Sequence, residues 1–121
     1  MSETVAVLGA SPKPERYSHR AIRMLQEYGH RVIPVNPAQH EIDGLPVARG
    51  LREIREPVDT VTVYVSPDHL DRSIDDLVAL KPRRVIFNPG AEHAAAAARL
   101  RKAGIDTEDA CTLVLLRSRQ F

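Results

Sequence analysis

The sequence predicts a single doubly wound α/β domain, with a mostly parallel sheet of about five strands and helices on both faces. Short apolar runs rich in Val and Ile recur along the chain, which is typical of strands buried on both faces. Segments of helical period lie between these runs, and this alternation indicates right-handed crossovers between parallel strands. The length of 121 residues suits one domain with a single core.

Four apolar runs are predicted to be strands, and a fifth strand is expected at residues 105–109. The four runs are residues 5–8, 31–35, 60–65 and 85–87. The tail, residues 112–121, contains an apolar cluster that fits either a short helix or an edge strand.

The first helix is predicted at residues 18–28, where Ile22 and Leu25 share one apolar face and Gly29 provides a left-handed end. The second begins with Ser66 as N-cap and Pro67 at its first position. A third is predicted at residues 91–103, where alanines allow close approach to the sheet, and a short one at residues 51–55.

Composition narrows the class of function. Lys and Arg number 17 against 16 Asp and Glu, so no overall field favours nucleic acid or an anionic membrane. No apolar stretch approaches the roughly 20 residues that span a bilayer, and Cys111 is the only cysteine. We expect a cytoplasmic protein, monomeric or homodimeric, that binds a small molecule and contacts neither nucleic acid nor membrane.

Four predicted strands end in small or polar residues followed by proline, which makes a stiff and uncharged rim. Ligands of open α/β sheets bind at this edge, although the same residues are also usual in plain strand-to-helix turns. The four segments are Gly9-Ala10-Ser11-Pro12, Asn36-Pro37, Ser66-Pro67 and Asn88-Pro89-Gly90.

The loop after the first strand has features of a phosphate site but neither common nucleotide motif, since G-x-G-x-x-G and G-x-x-x-x-G-K-[ST] are both absent. Gly9 permits a tight turn, and the positive end of the helix that begins near Tyr17 and Ser18 points to the same place. Lys13 and Arg16 add local positive charge, or are simply solvated loop cations.

The end of the second strand argues against NAD as the natural ligand. Rossmann-type NAD sites carry Asp or Glu about 20 residues after the glycines, to accept the ribose hydroxyls. Here Asn36 stands in the corresponding place. Its neutral amide tolerates a phosphorylated ribose.

The segments GASPKPER, at residues 9–16, and VIPVNP, at residues 32–37, together resemble the small stand-alone CoA-binding proteins. These are similar to the amino-terminal domain of the succinyl-CoA synthetase alpha subunit. The resemblance covers nearly the whole chain and is specific in its first half. It implies a Rossmann-like fold that binds coenzyme A or acyl-CoA through the ADP part.

The resemblance also implies roles for individual residues. Around the phosphates it implies contacts from Gly9, Ala10, Ser11, Lys13 and Arg16, beside the helix start at Tyr17 and Ser18. For the remaining walls it implies Asn36 and Pro37 beside the adenosine, and Val65, Ser66 and Pro67 opposite. Asn88 and Gly90, along the rim, are predicted from the strand-end pattern instead.

The chain departs from the family at two places, Asn88-Pro89-Gly90 and Ala110-Cys111, which lie toward the pantetheine end. The synthetase's catalytic histidine belongs to a further domain, so the ligase reaction is not implied. Spacing assembles no catalytic triad, and the five histidines show no paired metal-ligand spacing. We therefore expect binding without catalysis; an acyl-CoA-processing enzyme and a nucleotide-sensing interaction module stay open as alternatives.

Overall fold

The structure is a computed structural model that describes residues 2–121. Its strands, in chain order, are β1 (Thr4–Leu8), β2 (Arg31–Val35), β3 (Glu41–Ile42), β4 (Leu45–Pro46), β5 (Thr60–Val63), β6 (Arg84–Phe87) and β7 (Asp106–Asp109). Its α-helices are α1 (Tyr17–Glu27), α2 (Pro67–Leu80), α3 (Ala94–Lys102) and α4 (Thr112–Arg117), and Leu51–Glu53 form one 3-10 turn.

The main sheet has five strands in the order β2-β1-β5-β6-β7, and every neighbouring pair is parallel. Strand β1 therefore lies between β2 and β5, and Val5 is in register with Val32 on one side and Thr60 on the other. The direction of strand succession reverses between β1 and β5. In this fold a reversal opens a crevice beyond the carboxyl ends of the two strands.

Helices cover both faces of the sheet, as the sequence predicts. Val5 and Val7 of β1 pack with α1 and α4, whereas Ala6 and Leu8 of the same strand pack with α2 and α3. Strand side chains alternate between the two faces, so β1 and β2 each contribute to both hydrophobic clusters. The doubly wound α/β prediction is confirmed.

The end signals of the first two helices work as predicted. The Ser66 hydroxyl accepts a hydrogen bond from the His69 backbone N–H at 3.4 Å, and Pro67 is the first residue of α2. Gly29 follows α1 with a φ of 87°. Helix α1 begins and ends one residue earlier than predicted, at Tyr17 and Glu27.

Three predicted boundaries need correction. Helix α3 starts at Ala94 rather than at residue 91, because the His93 side chain caps it by accepting from the Ala96 N–H at 3.2 Å. Strand β5 ends at Val63, two residues early. The predicted helix at residues 51–55 is the shorter 3-10 turn.

A hairpin formed by β3 and β4 was not predicted. Its turn residues, Asp43 and Gly44, both have positive φ, at 52° and 80°. An Asp-Gly pair is a signal for such a turn, but each strand has only two residues, too few to show alternation. The ambiguous tail forms helix α4. None of the helices in residues 2–121 combines the length and apolar character needed to cross a membrane.

Candidate functional site

The loop after β1 is held tightly between the two neighbouring strand ends. The backbone N–H groups of Gly9 and Ala10 both donate to the Val35 carbonyl, each at 3.2 Å. On the other side, a Cβ placed on Gly9 would lie 2.8 Å from Val65 Cγ1 and 3.2 Å from the Tyr64 carbonyl carbon. Gly9 also has a φ of 88°, so both the turn and the close approach require glycine.

A polar cleft of about 400 Å³ opens above this loop. Six of its lining residues are predicted site residues: Gly9, Ser11, Lys13, Arg16, Tyr17 and Ser18. The remaining two, Tyr64 and Pro89, come from the ends of β5 and β6. The structure thus brings together the loop and the first helical residues as the sequence predicts.

The electrostatics of the polar cleft favour an anion. Lys13 and Arg16 are both exposed, and within residues 2–121 neither side chain forms an ion pair. Arg16 is the N-cap of α1 but offers no side-chain cap, and the first helical turn contains no acidic residue. The first N–H groups of a helix lack intrahelical acceptors, so they are available to a bound anion.

A second, apolar cleft of about 250 Å³ adjoins the first. The two clefts share Tyr17, Tyr64 and Pro89. The apolar cleft is completed by Asn88, Cys111 and Leu113. Of its lining, the predicted site set contains Tyr17 and Asn88. Tyr64, Pro89 and Leu113 were missed: Tyr64 lies inside the strand predicted at residues 60–65, and Pro89 is the middle residue of the predicted rim segment Asn88-Pro89-Gly90.

Asn36 has a structural role that the sequence did not reveal. Its side-chain N–H donates to the Ala10 carbonyl at 2.7 Å, and its side-chain oxygen accepts from the Ala38 N–H at 2.7 Å. Asn36, Pro37 and the buried Ala10 line neither cleft. The Asn36 amide therefore fixes the backbone of the phosphate-loop candidate, residues 9–16, without lining either cleft.

The Asn88 side chain is likewise fully engaged in hydrogen bonds within the protein. Its side-chain N–H₂ donates to Thr62 Oγ1 at 2.6 Å and to the Val63 carbonyl at 2.9 Å. Its oxygen accepts from the Thr112 N–H at 2.9 Å, at the start of α4. Asn88 joins β5, β6 and α4, and it presents only an edge to the apolar cleft.

The remaining predicted residues lie outside both clefts. Val65 packs beneath Gly9, while Ser66 and Pro67 begin α2. The Gly90 N–H donates to the Glu92 carboxylate at 2.8 Å, and its φ is 91°. These residues shape the rim, and the sequence pattern that marked them is explained by turn and cap geometry.

Tyr64 forms part of the boundary between the clefts. Its hydroxyl is buried and has no hydrogen-bond partner within residues 2–121. Burial raises the pKa of Tyr64 to about 12, and the nearby hydroxyls of Thr112 and Thr62 offset only part of that effect. The phenol is therefore neutral across the physiological range.

A five-stranded parallel sheet, helices on both faces and a cleft where strand order reverses define a Rossmann-like α/β domain. Within this class, the chain belongs to the CoA binding domain family, whose model matches residues 3–117. The resemblance stated from the sequence is confirmed.

Two curated relatives match part of the chain. The uncharacterized protein YneT of Bacillus subtilis is 38% identical over 69 residues, which are 57% of this chain and 51% of that protein. The alpha subunit of the ADP-forming acetate–CoA ligase II of Pyrococcus furiosus is 34% identical over 62 residues, which are 50% of this chain and 14% of that subunit. The chain thus spans about half or less of these relatives.

Solved structures share the fold over nearly the full length. An uncharacterized protein, 36% identical, has a TM-score of 0.95 and covers 100% of this chain, which in turn covers 99% of it. A Thermus thermophilus protein, also 36% identical, has a TM-score of 0.89, with coverage of 98% and 90%. A hypothetical protein from Pyrococcus horikoshii is 26% identical, with a TM-score of 0.89 and coverage of 96% and 82%.

Proposed function

We propose that this protein binds coenzyme A or an acyl-CoA through its ADP part, at the carboxyl edge of the sheet, and performs no catalysis. The observation that carries the proposal is the polar cleft, where two exposed cations and the start of α1 surround a glycine turn. Membership of the CoA binding domain family supports the choice of ligand.

In this proposal the pyrophosphate contacts the loop at Gly9, Ala10 and Ser11, with Lys13 and Arg16 beside the phosphates. The Gly9 and Ala10 N–H groups already donate to the Val35 carbonyl, so the small loop residues provide room for the anion beside the turn. The N–H groups that remain available to it are those at the start of α1, at Tyr17 and Ser18. Asn36 and Pro37 border the adenosine. Val65, Ser66 and Pro67 form the facing wall, with Asn88 and Gly90 along the rim.

The adjoining apolar cleft suits the other end of the ligand. Coenzyme A has a highly charged nucleotide and a less polar arm that carries the thiol. The two clefts meet along Tyr17, Tyr64 and Pro89, so one ligand can occupy both without crossing bulk solvent. We propose that the pantetheine arm extends toward Cys111 and Leu113.

Calorimetric titration with CoA, dephospho-CoA, NAD and FMN tests the proposal. We expect CoA to bind tightest and dephospho-CoA more weakly, since the 3′-phosphate adds charge beside the cations. Lys13→Ala and Arg16→Ala should each weaken CoA binding about tenfold. Lys102→Ala, which removes an exposed cation from the far end of α3, should leave it unchanged. Tighter binding of NAD or FMN than of CoA would contradict the assignment.

An acyl-CoA-processing enzyme is the second candidate, because a partly exposed thiol, Cys111, lies in the apolar cleft. Within residues 2–121 its sulfur has no hydrogen bond to a base that could activate it, in contrast to the usual nucleophile and base pair. Incubation with acetyl-CoA distinguishes the candidates. Sustained release of free CoA thiol that is lost in Cys111→Ser would establish the enzyme, whereas no release supports binding alone.

A further inference from the structure

His19 is a buried histidine that holds the phosphate-loop candidate from inside the protein. Its side chain lies in the first turn of α1 and is only 3% exposed. The His19 Nδ1 is 2.9 Å from the Ser11 carbonyl oxygen. A carbonyl can only accept, so Nδ1 carries the proton in this contact. The Ser11 carbonyl is thereby directed toward the helix.

The second ring nitrogen has no such partner. Among residues 2–121, the buried His19 Nε2 has no hydrogen-bond partner, and it lies 4.0 Å from the Asp43 carboxylate in the β3–β4 turn. A buried polar atom without a partner destabilises the folded protein. If His19 were protonated and Nε2 moved slightly toward Asp43, the unpaired nitrogen would become part of an ion pair. Arg23, on the same helix, is 3.7 Å from the same carboxylate oxygen. His19 therefore lies between the loop and the hairpin.

The contact with Ser11 has a direct consequence for an anion site. Ser11 lines the polar cleft, and a carbonyl oxygen turned into that cleft would repel a phosphate. His19 prevents this by binding the oxygen on the opposite side. Its imidazole can also accept a second proton, which would add positive charge next to a cleft that already contains Lys13 and Arg16.

We propose that His19 is the positioning residue of the phosphate loop and that it takes up a proton when the ligand's phosphates bind. The inference rests on the proposed function, because it concerns the same cleft. The charged groups near His19 Nε2 are Asp43 on the hairpin and, on its own helix, Arg23, which lies 3.7 Å from the same carboxylate oxygen. Lys13 and Arg16 line the polar cleft together with Ser11. Added anionic charge near Ser11 favours the cationic imidazole, whose Nε2–H then donates toward Asp43.

Two variants test the contacts of His19 Nδ1 and Nε2 separately. In His19→Asn the amide N–H₂ can replace Nδ1 and keep the Ser11 contact, whereas in His19→Gln it reaches the position of Nε2 instead. We expect His19→Asn to bind CoA within about threefold of the unmodified protein at pH 8, and His19→Gln about tenfold more weakly. The control is His40→Asn, which changes an exposed histidine and should alter nothing.

Proton uptake is the readout that a purely structural role would not change. The CoA affinity of the unmodified protein, divided by that of His19→Asn, should rise several-fold from pH 8 to pH 6, and the ratio cancels titration of the ligand's own phosphate. Calorimetry at one pH in two buffers of different ionisation enthalpy should show more proton uptake on CoA binding by the unmodified protein than by His19→Asn, because the ligand's own phosphate contributes to both. A flat affinity ratio and equal proton uptake by the two proteins would overturn the proposal.

The outcomes also separate this inference from the proposed function. If the unmodified protein binds CoA but the Asn and Gln variants lose affinity equally, His19 is a packing residue and the inference is wrong. If the unmodified protein does not bind CoA, the proposed function fails. Hydrogen exchange at the Ser11, Lys13, Glu15 and Arg16 amides, measured without ligand, then still tests the loop contact. Faster exchange in His19→Gln than in His19→Asn supports it, and equal exchange refutes it.

Discussion

The side-chain amide of Asn36 donates to the Ala10 carbonyl at 2.7 Å and so ties the end of β2 to the loop after β1. The same side chain accepts from the Ala38 N–H at 2.7 Å, which closes a turn at Pro37. Two hydrogen bonds in fixed directions determine the orientation of this amide. A ligand at the strand edge therefore meets a loop whose backbone is already set in place.

We predict that Asn36→Ala destabilises the protein by about 1–2 kcal/mol, because it leaves the Ala10 carbonyl and the Ala38 N–H without their partner. Urea denaturation measures the change. Gln39→Ala is the matched control, since Gln39 is nearby and makes no side-chain hydrogen bond within residues 2–121. Equal stability of the two variants would show that the Asn36 contacts contribute nothing.

Gly9→Ala should be more damaging than the same change at another left-handed glycine. A Cβ at Gly9 meets Val65 Cγ1 at 2.8 Å, whereas a Cβ at Gly44 meets nothing within 4 Å. Both positions have positive φ, at 88° and 80°, so both incur the backbone cost of roughly 1–2 kcal/mol for an L-residue.

The difference between the two unfolding free energies isolates the contact with Val65. We expect Gly9→Ala to lose at least about 1 kcal/mol more than Gly44→Ala in urea denaturation, since overpacking adds to the backbone strain. Adding Val65→Ala should recover part of the excess. The explanation fails if the two glycine variants unfold at the same urea concentration.

The sequence predicted those features that local chemistry determines. Helix α2 starts where Ser66 and Pro67 indicate, because an N-cap hydroxyl and an N1 proline act within one turn. The parallel sheet followed from continuous apolar runs. The loop residues 9–18 were proposed as a site because a glycine turn, small side chains and two cations are close together in the sequence, and six of them line one cleft.

The sequence could not show contacts that depend on strand order. Ala10 and Asn36 are 26 positions apart and meet only because β2 lies next to β1. In the sequence, a polar residue that binds a ligand at a strand end cannot be distinguished from one that binds a neighbouring loop. For this reason the structural roles of Asn36 and Asn88 were missed. The apolar cleft was mostly missed because Leu113 of α4 forms part of its wall. The sequence of residues 112–121 fitted either a helix or a strand, so α4 was not predicted.

Cys111 provides a built-in probe of ligand occupancy, because it is the only cysteine in the sequence and lines the apolar cleft. We predict that saturating CoA slows alkylation of Cys111 by iodoacetamide several-fold, since a ligand arm in this cleft covers the thiol. Intact-protein mass spectrometry follows the reaction. Inorganic phosphate should occupy only the polar cleft and give no protection, and an unchanged rate with CoA would exclude the arm from the apolar cleft.

Tyr64→Phe should be nearly neutral at pH 7 but should reduce the loss of stability at alkaline pH. The hydroxyl has no hydrogen-bond partner in the part of the chain that the structure describes, so we expect its removal to change the unfolding free energy by no more than about 1 kcal/mol at pH 7. Burial raises the pKa of Tyr64 from 10.0 to about 12. Between these values the folded protein keeps the phenolic proton and the unfolded chain has lost it, so stability falls as pH rises.

This contribution is fully present below pH 10 and is lost as pH rises toward 12, with a total of about 3 kcal/mol. Urea denaturation at intervals from pH 8 to pH 11.5 should therefore give a shallower decline for Tyr64→Phe than for the unmodified protein. Tyr28→Phe, which changes a tyrosine that is 47% exposed, should reproduce the original decline. If Tyr28→Phe flattens the profile as much as Tyr64→Phe, the alkaline effect does not come from the buried phenol between the two clefts.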